Sequence, residues 1–302
     1  MNSRRRILIV GCGYLGSTLG TAWVAAGHHV AGIRRPGGDV SGMRRAGIEP
    51  WLADLAIRSD LDRLPDEWDW VVDCAAPSEG GEEAYRRVYR EGARNLVDRF
   101  RSRPPKAFLF TGSTGVYPQN DGSEVDETAS THGAAPTGRI LRETEEVFLR
   151  AVGDGFPAVL LRISGIYGPG RNRVDAVLRG DAKMYGDGSR WMNMIHRDDL
   201  AGAVVAALER GRPGSLYNVS DGAPCTEREF YGWLGARLGK EVPSAAPDGD
   251  TGRRGRALAN RRIRIEKIRQ DLGWVPRYPD YRAGYEQVLE STRIGSCEQG
   301  RE

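Results

Sequence analysis

The chain is poor in cysteine, has no long apolar run and carries no strong excess of either charge. Its four cysteines, Cys12, Cys74, Cys225 and Cys297, are scattered and lack metal-ligand spacing. That usage fits a reducing compartment rather than a disulfide scaffold, and no metal is expected. Cys12 and Cys74 fall in or beside predicted strands and read as small buried residues. After Arg4-Arg5-Arg6 the apolar run lasts four residues before a glycine. This is too short for a signal core or a membrane span. The expectation is a soluble, cytoplasmic protein with no membrane partner. A net charge of +3 does not by itself imply nucleic acid. No internal repeat is present. What remains is 302 residues, 39% hydrophobic and 28% charged, enough for one large or two modest domains.

The organising stretch is Ile7-Leu8-Ile9-Val10-Gly11-Cys12-Gly13-Tyr14-Leu15-Gly16. Four apolar, mostly β-branched residues read as a buried parallel strand. The strand runs into Gly-x-Gly-x-x-Gly, with Gly11, Gly13 and Gly16 in the three positions. A small-residue helix follows and ends at Gly27. Each glycine has its own task in such a turn. The first makes the bend, the second admits a pyrophosphate to the backbone, and the third lets helix and strand pack closely. The helix start then offers free N–H groups and a partial positive charge to phosphates. Gly11, Gly13, Tyr14, Leu15 and Gly16 are therefore candidate dinucleotide contacts; the competing reading is a plain tight turn.

His29–Ile33 reads as a second strand, followed by Arg34 and Arg35. An acidic residue here would hold the ribose 2′-hydroxyl of NAD, whereas arginine suits the 2′-phosphate of NADP. NADP is preferred over NAD; the alternative is two solvated arginines. Ile48–Leu55 reads as a third strand with Asp54 and Leu55 at its end. Trp70–Pro77 is the fourth, and its small residues Ala75, Ala76 and Pro77 allow close cofactor approach. A helix is expected over Glu82–Arg101, a fifth strand over Ala107–Thr111 and a helix over Arg139–Ala151. Ala158–Ile163 is the sixth strand, placing Ile163 beside the cofactor. This alternation implies a doubly wound parallel α/β sheet with its ligand at the strands' carboxyl ends. Later come a helix over Asp198–Arg210, a strand over Ser215–Ser220 and a capped helix over Thr226–Leu238. Pro243–Arg256 reads as a mobile loop.

Several ordered motifs now resemble the extended short-chain dehydrogenase/reductase family of the NAD-dependent epimerase/dehydratase type. They are Val88-Tyr89 with Gly92 and Asn95-Leu96, then Thr111–Tyr117, then Arg162–Gly170. Tyr185–Ser189, Ile195–Ala201, Leu216–Val219 and Leu272–Pro276 complete the series. The likeness covers nearly the whole length, although the glycine loop is shorter than usual for the family. It implies a Rossmann-type domain over residues 1–166, rejoined by about 191–222, and a smaller C-terminal substrate domain over 167–302.

The resemblance also implies a catalytic hydroxyl followed by Tyr-x-x-x-Lys on the next helix. Ser113 matches the hydroxyl. The tyrosine and lysine positions fall at Thr137 and Leu141, or at Gly138 and Arg142 one residue on, and the segment has neither residue type. A positioned general acid contributes roughly 10²–10⁴-fold, about 3–5.5 kcal/mol. Either another group supplies the proton or the protein binds without catalysis. Tyr117, Tyr167, His132 and His196 are the available groups, and Tyr167 is the foremost, with a packing role as its alternative. Asn193, Arg261 and Arg262 are candidate substrate anchors, because in the family this region borders the substrate cleft. A solvated positive face is the simpler reading of the arginines. The expected partner is a small molecule, with a nucleotide sugar one option; no nucleic acid is expected, and a homodimer is left open. The leading function is an atypical NADP(H)-dependent oxidoreductase or epimerase-like enzyme. The alternative is a non-catalytic NADP(H)-binding sensor or scaffold.

Overall fold

The computed structural model describes residues 4–245 and 259–298. Seven parallel strands form the central sheet: β1 (Arg6–Val10), β2 (His29–Arg34), β3 (Glu49–Leu52), β4 (Trp70–Asp73), β5 (Ala107–Ser113), β6 (Ala158–Ile163) and β7 (Leu216–Val219). Their spatial order is β3-β2-β1-β4-β5-β6-β7. The order reverses between β1 and β4, and a crevice opens at such a switch point beyond the strands' carboxyl ends. Ile7, Leu8, Ile9 and Val10 are wholly buried, as expected of a strand covered on two faces. One apolar cluster fills each side of the sheet.

The main helices are α1 (Tyr14–Ala25), α2 (Gly92–Phe100), α3 (Pro136–Gly153), α4 (Arg197–Arg210), α5 (Glu227–Leu238) and α6 (Tyr281–Glu298). α1 packs closely on β1 because Gly16 has no side chain. A Cβ there would lie 2.7 Å from the Gly11 carbonyl oxygen and 2.8 Å from Ile9 Cγ2. The helix predicted over Glu82–Arg101 contains a π-helical turn, Arg86–Glu91, between Glu82–Tyr85 and α2. α5 starts with the expected reciprocal cap between Thr226 and Glu229.

Several strand ends differ from the sequence reading; β4, for one, ends at Asp73 rather than Pro77. β5 continues to Ser113 because Gly112 and Ser113 stay in register with Arg162 and Ile163 of β6. β3 ends at Leu52, since as an edge strand it pairs only with β2. A third apolar cluster contains Tyr167, Val174, Met192, Phe230, Tyr281 and Tyr285, apart from the sheet. Most of the Pro243–Arg256 stretch, with Arg253, Arg254 and Arg256, lies outside the described residues. Among the described residues no helix is long and apolar enough to cross a membrane.

Candidate functional site

Gly11 starts the site. Its φ is +84°, a left-handed conformation that a side chain disfavours. A Cβ there would meet Ala75 Cα at 2.5 Å and Ala75 N at 2.6 Å. The turn after β1 thus rests directly on the segment after β4. Cys12 N donates to Ile33 O at 2.9 Å, joining the turn to the end of β2. Gly13 precedes α1 and provides no side-chain cap. The first-turn N–H groups of Tyr14, Leu15 and Gly16 have no helical acceptor, and the first helical bond runs from Ser17 N to Gly13 O at 2.8 Å.

Around this turn stand most of the residues expected from sequence. Arg34 is half-buried at the end of β2 and donates to Asp39 O at 2.8 Å. Arg35 is exposed and donates to Ser78 Oγ at 2.8 Å, spanning from β2's end to the segment after β4. Ala75 and Pro77 are half-buried and Ala76 is exposed. Asp54 is engaged within the protein: Oδ2 accepts from Arg87 at 2.8 Å and Oδ1 from Ala56 N at 2.9 Å. Leu55 is buried, with its carbonyl held by Asn95 Nδ2 at 2.7 Å. Asp73 lies buried at the end of β4, where its Oδ1 accepts from Ala75 N at 3.1 Å. Burial pushes its carboxyl up to about 7.

Ser113 ends β5 beside Ile163 of β6. Its Oγ accepts from Gly115 N at 3.1 Å, which caps the following turn and leaves the hydroxyl half-buried. α3 starts against that turn, where Gly138 packs on the Gly115 carbonyl. Thr137 is half-buried, whereas Leu141 belongs to the apolar core. One turn of α3 therefore presents a hydroxyl and an alkyl chain at the positions where Tyr-x-x-x-Lys was sought.

Beneath Ser113 lies a charged network. Arg162 reaches Glu145 of α3 through Nε at 2.8 Å and Nη2 at 2.7 Å. Its Nη1 donates to Tyr117 Oη at 2.9 Å, and that hydroxyl donates to Asn218 Oδ1 at 2.8 Å. Burial pushes the Tyr117 phenol above its ordinary value. The one sequence signal for this network was an arginine inside an otherwise apolar strand. Glu145 gave none, because glutamate is common on helices.

Arg261 is buried, and Nη1 donates to Thr114 O at 3.0 Å and also to Tyr117 O. Asn193 holds the same segment, donating to Arg261 O at 2.8 Å and accepting from Ile263 N at 2.8 Å. Arg262 donates to Gly122 O at 3.0 Å, pairs with Glu124 at 3.4 Å and lies over Trp191. Arg261 thereby braces the turn after Ser113, Asn193 holds the Arg261–Ile263 backbone, and Arg262 is engaged at Gly122 and Glu124.

Tyr167 is not placed to exchange a proton at an open surface. It is 3% exposed, its ring stacks on Tyr285 at 4.8 Å, and α6 leaves no room for a Cβ at Gly284 beside its hydroxyl. Burial raises its phenol well above the ordinary value. The expectation of a proton-handling Tyr167 is corrected on this ground: its hydroxyl faces the third apolar cluster. His196 is buried and caps α4, accepting from Asp198 N at 3.2 Å. His132 lies exposed in a loop.

A parallel sheet with a glycine turn at its switch point defines a dinucleotide-binding α/β class. The chain belongs to the NAD dependent epimerase/dehydratase family, whose model matches residues 7–220. It is 31% identical to "Protein YeeZ" of Escherichia coli strain K12 over 284 residues, covering 91% of this chain and 97% of that one. A putative NAD-dependent epimerase/dehydratase from Methylobacillus flagellatus superposes with a TM-score of 0.76 at 29% identity, covering 96% and 100%. The dTDP-glucose 4,6-dehydratase of Bacillus anthracis, solved in complex with NAD, has the same fold, with a TM-score of 0.81 at 19% identity and coverage of 96% and 97%.

Proposed function

We propose that this chain binds NADP(H) in preference to NAD(H) and acts as an atypical oxidoreductase or epimerase-like enzyme on a hydroxyl or carbonyl carbon. The carrying observation is the uncapped first turn of α1 beside two arginines at the end of β2. The turn suits the diphosphate, and Arg34 and Arg35 suit a 2′-phosphate. Gly11, Gly13, Tyr14, Leu15, Gly16, Ala75, Ala76, Pro77 and Ile163 line the cofactor in this reading. Asp54 and Leu55 shape the adenine end, with Asp54 acting through Arg87. Ser113 offers its hydroxyl to the substrate oxygen. Asn193, Arg261 and Arg262 build the wall facing the substrate.

The family assignment supports NAD(P) chemistry, and a nucleotide sugar is one substrate within its range. A second reading is a non-catalytic NADP(H)-binding sensor or scaffold. Thr137 and Leu141 favour it, because neither can replace a tyrosine–lysine pair. The separating experiment follows NADPH oxidation against a panel of aldehydes, ketones and keto sugars. Turnover that is lost in Ser113→Ala supports the enzyme. Tight NADPH binding with no turnover across the panel supports the sensor.

A further inference from the structure

Asp73 is the last residue of β4, in register with Val10 of β1 on one side and Phe110 of β5 on the other. It is 3% exposed, and both neighbours are buried apolar residues. The main chain around it is fixed from both strands. Cys74 N donates to Val10 O at 2.7 Å, and Thr111 Oγ donates to Asp73 O at 2.9 Å. The carboxyl accepts from Ala75 N, and Ala75 is the residue that leaves no room for a Cβ at Gly11. It therefore holds the backbone on which the glycine turn rests. Among the described residues no arginine, lysine or histidine pairs with it. Its titratable neighbour is the Cys74 thiol, with the Cys12 thiol beyond, and burial pushes both thiols above their ordinary values. A buried carboxyl with one N–H donor and no cation is held neutral far more readily than one in water.

We propose that Asp73 is a positioning residue for the dinucleotide, and that its carboxyl takes up a proton when the dinucleotide binds. The inference rests on the dinucleotide reading and adds a proton to the binding step. The nucleotide is an anion, and it enters the crevice beyond the end of β4. An ionised carboxylate buried there opposes it, because the low local dielectric strengthens repulsion between like charges. The protonated carboxyl does not oppose it, and its carbonyl oxygen still accepts the Ala75 N–H. The neutral form thus keeps the segment after β4 in place without the repulsion. The linkage concerns what NAD and NADP share, whereas Arg34 addresses the part in which they differ.

The test is calorimetric titration of the wild-type chain and of Asp73→Asn with NADH across a pH series, each in two buffers of different ionisation heat. NADH suits the purpose because it lacks the 2′-phosphate, which would itself titrate near about pH 6. Burial places the Asp73 carboxyl at about 7, so binding to wild type near that pH should take up about half a proton. The affinity should fall by about tenfold between roughly pH 6 and 8.5. Asp73→Asn keeps an acceptor for Ala75 N and cannot ionise. It should bind without proton uptake and with a nearly flat affinity. The variant also separates Asp73 from Asp221, which burial pushes to about 7 as well. The same difference between wild type and variant is expected with NADPH, on top of the titration of its own phosphate. Wild-type binding with no proton uptake and a flat pH profile would overturn the inference, and that result needs no variant to fold. Uptake and slope that persist unchanged in Asp73→Asn would overturn it too. If the wild-type chain binds neither nucleotide at any pH, the dinucleotide reading itself falls and the inference with it.

Discussion

Arg162 and Glu145 meet in a two-pronged ion pair between β6 and α3, at 2.8 and 2.7 Å. Both side chains are under 10% exposed. The pair fixes α3 against the sheet directly below the Ser113 turn, and Tyr117 extends it to Asn218 of β7. Removing one partner strands a buried charge. Glu145→Ala is therefore expected to lower stability by about 3–5 kcal/mol. Replacing the pair together, as Glu145→Leu with Arg162→Met, should cost less than Glu145→Ala alone. Denaturant unfolding of the wild type and the two variants checks this; a double variant less stable than the single one would contradict it.

Gly11 allows a second prediction. Gly11→Ala forces a side chain into a left-handed conformation, at a cost of roughly 1–2 kcal/mol. It also drives a Cβ into Ala75 at 2.5 Å. The expected outcome is a lower thermal midpoint together with loss of dinucleotide binding. Unchanged stability and binding would show that the turn after β1 is not held against β4.

The buried carboxyls predict a pH dependence. Asp73 and Asp221 are both pushed up to about 7 by burial. In the unfolded chain each titrates near 3.9. The folded state therefore binds the extra protons between roughly pH 4 and 7. The contribution is full below the unfolded value and is lost as pH rises through the folded one. Stability from these two groups should fall as pH rises across that window. Asp73→Asn should flatten the slope in a series of denaturant melts. An identical slope in variant and wild type would remove Asp73 from the account.

Much of the fold could be read from the sequence because strand and helix periods alternate cleanly from Ile7 to Ile163. The glycine turn was legible because strand, turn and helix lie contiguously in the chain. The π-helical turn at Arg86–Glu91 was not, since the surrounding apolar residues keep helical spacing across it. The use of Arg261 was also hidden. A run of arginines reads as a charged surface until the chain folds and brings the Thr114 and Tyr117 carbonyls to one of them. Tyr167 illustrates the reverse: its motif suggested a place near the cleft, but Gly284 and Tyr285 of α6 enclose its hydroxyl. Long-range partners of this kind leave no local pattern.

Arg34 supplies a specificity prediction. Its guanidinium now bonds only to Asp39 O among the described residues, so donors remain for a phosphate. Arg34→Asp should lower the NADPH:NADH affinity ratio by about tenfold or more, by placing a like charge against the 2′-phosphate. An unchanged ratio would assign that phosphate to another group.

The most direct measurement is calorimetric titration of the purified chain with NADPH and with NADH. The account predicts saturable one-to-one binding of NADPH that is tighter than that of NADH. No detectable heat or saturation with either nucleotide would contradict it at the root.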